Sequence, residues 1–339
     1  MKKMNRIIGV MGLAILLAVG STSCKKNEEK NSSFTFALPT VEGFVADEGK
    51  AYIDISASNT PMKWWEGDVM KVYSVDATNT TPIYADFTAE SGCSGKTVAI
   101  FTGEQLEKGS YGYFAFYPAS KAVSVQEGNF GTFNVSDTQN YDTDLNFAGT
   151  SMAGKAFMDP QGVVGACPCD VLEGSANGTL KHIFGFANVR LKDLSGATAD
   201  KGVRSVTITD SRVSLTGNMT INIAELTTAR LNALKTLGNN YYNGSVNAET
   251  YWSTLNPLLA EMGYSTEPEG NSVTLNCSND DVILNGTNKY FIIPLRPGAL
   301  LGDFTVTVNF ENDSQVFNFT ADKKYIIRPG MFSNIQCTF

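Results

Sequence analysis

Histidine is almost missing from this chain of 339 residues; only His182 carries an imidazole. That excludes paired-histidine metal helices, and any Ser-His-Asp or Cys-His site would have to use this one residue. Its setting, Leu180-Lys181-His182-Ile183-Phe184, reads as the entry to a strand, which gives it a structural place. Positive charge is also short, with 26 Lys and Arg against 34 Asp and Glu and a net charge of −8. Nucleic acid, which needs a basic face, is not an expected partner. No arginine lies between Arg6 and Arg190. Neither a GxxxxGK[ST] phosphate loop nor a GxGxxG turn after a strand is present. After the first two dozen residues there is no second long apolar run, so no spanning helix is expected in the body of the chain.

Cysteine is sparse and scattered. Besides Cys24 the chain has Cys93, Cys167, Cys169, Cys277 and Cys337. Five is an odd number, so at least one is unpaired within a monomer. Cys167-Pro168-Cys169 lacks the second ligand pair of a zinc site and the spacing of a redox pair. Disulfides Cys277–Cys337 and Cys167–Cys169 stay open as alternatives to buried thiols. The acidic pairs Asp142/Asp144 and Asp280/Asp281 lie in turn-like sequence, where Asp is favoured for its backbone chemistry. They lack regular calcium-loop spacing. No cofactor, no metal and no enzymatic activity are expected.

What the chain does have begins at its start. A charged segment, Met1 to Arg6, precedes an apolar run, Ile7 to Val19, and then Ser21-Thr22-Ser23-Cys24. Basic, apolar and small-residue regions in this order make a secretory signal. A cysteine directly after the small residues resembles a bacterial lipobox. Cleavage between Ser23 and Cys24 and lipid on Cys24 are therefore expected, with the mature protein outside the cytoplasm and tethered to a membrane face. The following KKNEEKNSS, residues 25–33, has no large apolar side chain and reads as a flexible tether.

The body reads as β. Phe304 to Phe310 alternates apolar and polar residues without error, and Val316 to Thr320 follows after Asn312-Asp313-Ser314, a hairpin signal. Tyr111 to Tyr117 ends at Pro118 as a strand should. Lys289 to Ile293 reads as a strand covered on both faces. One stretch, residues 224–263, changes period towards 3.6. Leu226, Leu231, Leu234 and Leu237 share a helix face that Gly238-Asn239-Asn240 should end, and Asn256-Pro257 should start a further helical turn. The expected organisation is a signal peptide (1–23), a tether (24–33), an N-terminal β-sandwich (34–178) and a C-terminal β-sandwich (179–339) with a helical insertion at about 224–263. The small polar stretch EGSANGT, residues 173–179, marks the boundary.

Several of these segments together resemble the fimbrillin-like family of Bacteroidetes lipoproteins, the subunits of type V pili. Trp64-Trp65-Glu66-Gly67-Asp68 with the strand after it resembles the family's W-x-x-G-D stretch. Tyr113-Phe114-Ala115-Phe116-Tyr117-Pro118 is similar to its aromatic-proline strand end. His182 to Leu191 and Tyr325-Ile326-Ile327-Arg328-Pro329-Gly330 resemble strands of its second domain. Phe133 to Gln139 sits where the family has a proline that is lacking here. The resemblance implies an all-β chain of two transthyretin-like sandwiches, placed on the outer membrane or in a fimbrium. It implies other fimbrillin subunits as partners through strand addition. The first strand, with Phe34, Phe36 and Leu38 on one face, would be the removable one. The C-terminal segment with Ile335, Cys337 and Phe339 would be the donor. The family's activating cut is made by an arginine-specific protease, for which the N-terminal half offers no site; Lys50 and Lys63 are the basic residues in place. The alternative is a non-polymerising surface lipoprotein that binds a glycan or host ligand through the insertion or exposed aromatics.

Overall fold

The computed structural model describes residues 31–37, 40–42, 52–53, 59–74, 83–107, 109, 112–126, 130–140, 156–158, 165–172, 175–193, 196, 201–211, 213–222, 225, 227–263, 270–277, 289–298, 303–320 and 325–339. Cys24, Leu38, Lys50 and the tether up to residue 30 lie outside them, while Asn31–Ser33, expected at the end of the tether, are the start of the first strand. The strands of the first half are β1 (Asn31–Ala37), β2 (Thr40–Glu42), β3 (Tyr52–Ile53), β4 (Asn59–Lys63), β5 (Val69–Ser74), β6 (Ile83–Ala89), β7 (Val98–Glu104), β8 (Tyr113–Tyr117), β9 (Ala122–Gln126), β10 (Phe130–Val135), β11 (Thr138–Asn140), β12 (Ala156–Met158), β13 (Gly165–Leu172) and β14 (Ser175–Thr179). In the second half come β15 (Lys181–His182), β16 (Gly185–Lys192), β17 (Val203–Asp210), β18 (Gly217–Asn222), α1 (Thr228–Tyr242), α2 (Ala248–Glu261), β19 (Ser272–Asn276), β20 (Lys289–Leu295), β21 (Phe304–Phe310), β22 (Ser314–Phe319) and β23 (Phe332–Thr338).

The β class holds, but the first half is not two stacked sheets. Its strands run β14-β1-β7-β6-β5-β8-β13, and β13 pairs back onto β14, so the hydrogen-bond ladder closes into a ring. Closure leaves no open edge among these seven strands. β14 is the element that makes this happen, pairing antiparallel with β13 and parallel with β1. The polar stretch expected to mark a boundary therefore carries a ring strand. The interior is aromatic, with Phe34, Phe36, Trp64, Phe87 and Phe101 each at most 2% exposed.

The second half is a sandwich. A five-stranded sheet, β11-β19-β17-β21-β22, faces a four-stranded one, β12-β20-β16-β23. Inward residues of both, among them Val189, Ile208, Val306 and Ile335, form one core. The hairpin β21–β22 and the fully covered β20 follow the sequence pattern. Strands from before the expected boundary join this half, since β11 pairs parallel with β19 and β12 with β20. β10 pairs antiparallel with β18. Cys277 and Cys337 are buried free thiols, and burial pushes each up to about 12. No disulfide joins them.

The helical insertion is real, with two corrections. α1 does not stop at Gly238 but runs to Tyr242. Gly238 serves packing, because a Cβ there would lie 2.7 Å from Cδ of Arg328. Asn256-Pro257 starts no new turn; Pro257 sits inside α2, which is capped at Asn247, whose side chain accepts from the Thr250 amide. Neither helix stands away from the body. Leu234, Leu237, Tyr251 and Leu255 pack in one cluster with Tyr73, Phe114 and Phe116 of the ring's outer face and with Ile326. β8 is buried on both faces for this reason, Tyr113 and Tyr117 turned into the ring and Phe114 and Phe116 onto the helices.

His182 lies at this junction, 5% exposed, its ring edge-on to Phe186 at 5.5 Å and against Gly330. Neither ring nitrogen has a hydrogen-bond partner. Burial, with a smaller contribution from the Lys235 ammonium, lowers its pKa to about 3. The unfolded chain would protonate near the ordinary value of about 6.5, so between these limits the unfolded state binds more protons. Stability should therefore fall as pH drops through 6.5 towards 3, by about 1.4 kcal/mol per unit from this group. Urea unfolding of wild type and His182→Phe between pH 7 and pH 5 should show a steeper loss in the wild type. The single imidazole should not titrate in proton NMR over that range; a midpoint near 6.5 would refute its burial as a neutral group.

Candidate assembly site around the first strand

Alternation along β1 decides its role. Phe34 and Phe36 point into the ring while Ser33, Thr35 and Ala37 are half-buried on the other side, as a two-residue period requires. Phe34 stacks edge-on against Phe87 at 4.6 Å and Tyr113 at 5.3 Å; Phe36 does so against Phe101 at 5.6 Å. Along one edge β1 runs antiparallel to β7, from Asn31 opposite Glu104 to Ala37 opposite Val98. Along the other it runs parallel to β14, from Ser33 opposite Ser175 to Ala37 opposite Thr179. The Leu180 amide donates to the Ala37 carbonyl at 3.0 Å just beyond that ladder.

Trp64, straight after β4, closes over this strand. Its amide donates to Lys96 O at 2.7 Å, and its carbonyl accepts from Gly95 at 2.9 Å. Its indole Nε1 donates to the backbone carbonyl of Phe36 at 3.1 Å. The ring packs edge-on to Phe101 at 4.8 Å and Tyr117 at 5.1 Å. Gly67, at φ 85°, lets the chain turn back, in a backbone region that favours glycine. The turn sets Asp68, 6% exposed, where its carboxylate accepts from the Trp65 amide at 2.8 Å and from the Tyr117 hydroxyl at 3.0 Å. A buried carboxylate is tolerated when it is hydrogen-bonded in this way. The Trp64–Asp68 stretch and the strand end at Tyr117 thus form one knot over β1. Their meeting is invisible in the sequence, because 49 positions separate Asp68 from Tyr117.

Lys63 is the last residue of β4, opposite Tyr52 and directly before Trp64. β4 lies between β2 and β3 in a small antiparallel sheet. A cut after Lys63 would leave Trp64 behind and carry off β1 to β4. Ile335 and Cys337 are completely buried on β23, while Phe339 is half-buried against Phe310 and Phe317. β23 pairs parallel with β16 along its whole length. The expected donor segment is thus a working strand of its own sandwich. Trp64 is not available for sugar stacking. Among the described residues no three His, Cys, Asp or Glu side chains gather into a metal-holding group.

No family model and no curated protein matches the chain. Solved structures do match along most of its length. One is a candidate cell adhesion protein of Bacteroides ovatus, 13% identical, over 91% of this chain and 93% of that one at a TM-score of 0.48. Another, from Bacteroides uniformis, is 11% identical over 91% and 94% at 0.44. A fimbrial assembly protein of Parabacteroides distasonis is 8% identical over 91% of each chain at 0.33.

Replacing Trp64 by Phe keeps the ring but removes the indole hydrogen bond to the Phe36 carbonyl, which should cost about 0.5–1.5 kcal/mol in urea unfolding. Phe36→Ala should cost about 3–5 kcal/mol. In Trp64→Phe, amide hydrogen exchange should rise first along β1 and leave β21 unchanged. A uniform rise would show that Trp64 supports the fold in general and does not hold this strand.

Proposed function

We propose that this protein is a lipid-anchored cell-surface subunit of a type V pilus, and that β1 is its exchangeable strand. The observation that carries this reading is the seating of β1. It is the first described strand in the chain, it closes a ring, and it fills an aromatic slot with Phe34 and Phe36. Taking it out opens the edges of β7 and β14 together. An incoming strand with apolar residues at alternate positions would satisfy both the edges and the slot, which is the physics of strand addition. The signal and Cys24 put the chain on the outer membrane; other subunits are its partners, with the segment at Ile335, Cys337 and Phe339 as donor once it is released from its pairing with β16. Lys50 and Lys63 are the cleavage points.

The absence of arginine from residues 7 to 189 favours a second form of the same reading. With no site for an arginine-specific protease, β1 and the lipid stay, and the protein is an anchor or a non-polymerising surface adhesin for a glycan or host ligand.

The test is the N-terminus and intact mass of the protein taken from the cell surface. A start after Lys50 or Lys63 supports the polymerising subunit. A start at acylated Cys24 supports the anchor or stand-alone form. A start at Met1, without lipid, would overturn both. In a chain cut experimentally after Lys63, a peptide of residues 31–37 should bind in trans, and the same peptide with Phe34 and Phe36 changed to Ser should not.

A further inference from the structure

The ring leaves no open edge, but the sandwich does. Most of the terminal strands in the other sheets are blunted. β11, β12 and β2 have three residues each and β3 has two. The Asn222 amide at the end of β18 is engaged by the Met262 carbonyl at 2.7 Å. β22 is different. It ends the five-stranded sheet, six residues long, in unbroken antiparallel register with β21 from Phe304 opposite Phe319 to Asn309 opposite Ser314. Its sequence, SQVFNF, has no charge, no proline and no glycine, and its pairing has no bulge. Those are the devices that protect an edge. Among the described residues nothing pairs with its outer side, and Val316 is 47% exposed.

The other long edge, β23, has little to gain from a partner, since its inward residues are already buried and its outward ones are polar. β22 keeps an apolar remainder. Phe317 is only half-buried, packed edge-on at 5.1 Å against Phe339, itself half-buried. Register with β21 sets Gln315, Phe317 and Phe319 on the core face, opposite Val308, Val306 and Phe304. Ser314, Val316 and Asn318 lie on the outer face.

We propose that β22 is an interface between two copies of this chain, pairing antiparallel with β22 of a second copy about a two-fold axis through Phe317. The reason for a second copy is self-complementarity. A two-fold axis perpendicular to the sheet pairs only positions of like parity, so the core faces of both copies stay on one side. Phe317 then meets Phe317, Gln315 meets Phe319, and Val316 meets Asn318. The half-buried Phe317–Phe339 pairs of the two copies join into one aromatic cluster. An uncharged strand brings no like charge against itself, and the two five-stranded sheets become one continuous sheet. Closed two-fold dimers of this isologous kind are the commonest oligomers. One strand pair is small beside a standard interface, so the dimer is concentration-dependent.

Sedimentation velocity of the full chain, with Cys24→Ser so that no acyl group drives association, tests this over a wide range of concentration. The expected result is a monomer–dimer equilibrium that Val316→Lys with Asn318→Lys abolishes. These two positions face solvent, so their circular dichroism and melting point should match the parent. Val316→Cys with Asn318→Cys should give an oxidised dimer, as opposed cysteines do in this register. A monomer at every concentration, a dimer that survives the lysines, or failure of the double cysteine to cross-link would overturn the proposal. β1 is untouched by these changes, so the result is separate from the fate of that strand.

Discussion

Everything in the first half depends on the seating of one strand. β1 is held by antiparallel pairing to β7 and by parallel pairing to β14, and neither neighbour has another partner on that side. The two buried Phe side chains add about 1.5–3 kcal/mol each. The ladder adds backbone hydrogen bonds that no solvent-facing strand could replace inside a closed ring. The pairing to β14 is also strongly non-local, with Ser33 opposite Ser175. Contacts of that range must meet a loop-closure entropy before they repay it, which slows folding. A strand that lies between two otherwise open edges and fills the slot with alternate residues is one that another extended strand could replace.

The helices give the rest of the ring the opposite character. Against β5 and β8 they bury Tyr73, Phe114 and Phe116, so the wall across from β1 is packed on both faces. Arg328 ties the far end of α1 to the segment before β23, its guanidinium bonded to Asn239 and lying over the Tyr242 ring at 6.0 Å. Gly238 leaves the room that this side chain needs. The wall behind is therefore fixed to the second half, while β7 and β14 carry β1. A slot keeps its shape on losing a strand only if something else holds its walls, and the helical pair does this for one of them.

The sequence spoke clearly where burial has a simple period. Phe304 to Phe310 alternates in structure as it does in the chain, and the leucines of α1 lie on the buried side. It misled where tertiary contacts override local chemistry. Gly238 has the composition of a helix end but stays helical because Arg328 packs on it. Pro257 sits within α2 because the buried Tyr251, Leu255 and Leu259 hold the turns on either side. Residues 173–179 have the look of a linker, yet pairing with β1 and β13 makes a strand of Ser175–Thr179, since strand formation follows neighbours more than propensity. The Trp64 and Tyr117 segments were visible as separate marks. Their shared carboxylate, Asp68, was not, because a buried hydrogen bond between distant positions leaves no local pattern.

The position of Trp64 relative to Lys63 decides how a lost strand could be replaced. Were the chain cut after Lys63, the hydrogen bond from Nε1 to the Phe36 carbonyl would join the two pieces, with Trp64 on the retained side and Phe36 on the departing one. The donor stays fixed through Lys96, Gly95 and the Asp68–Tyr117 knot, none of which belongs to β1. The bond is made to a backbone oxygen, which any residue supplies, so it reads the placement of a strand and not its side chains. Side-chain selection falls to the two aromatic pockets that Phe34 and Phe36 occupy, two residues apart. The slot thus asks of an incoming strand an extended backbone in one register with apolar residues at alternate positions, and it leaves the rest of that strand's sequence free.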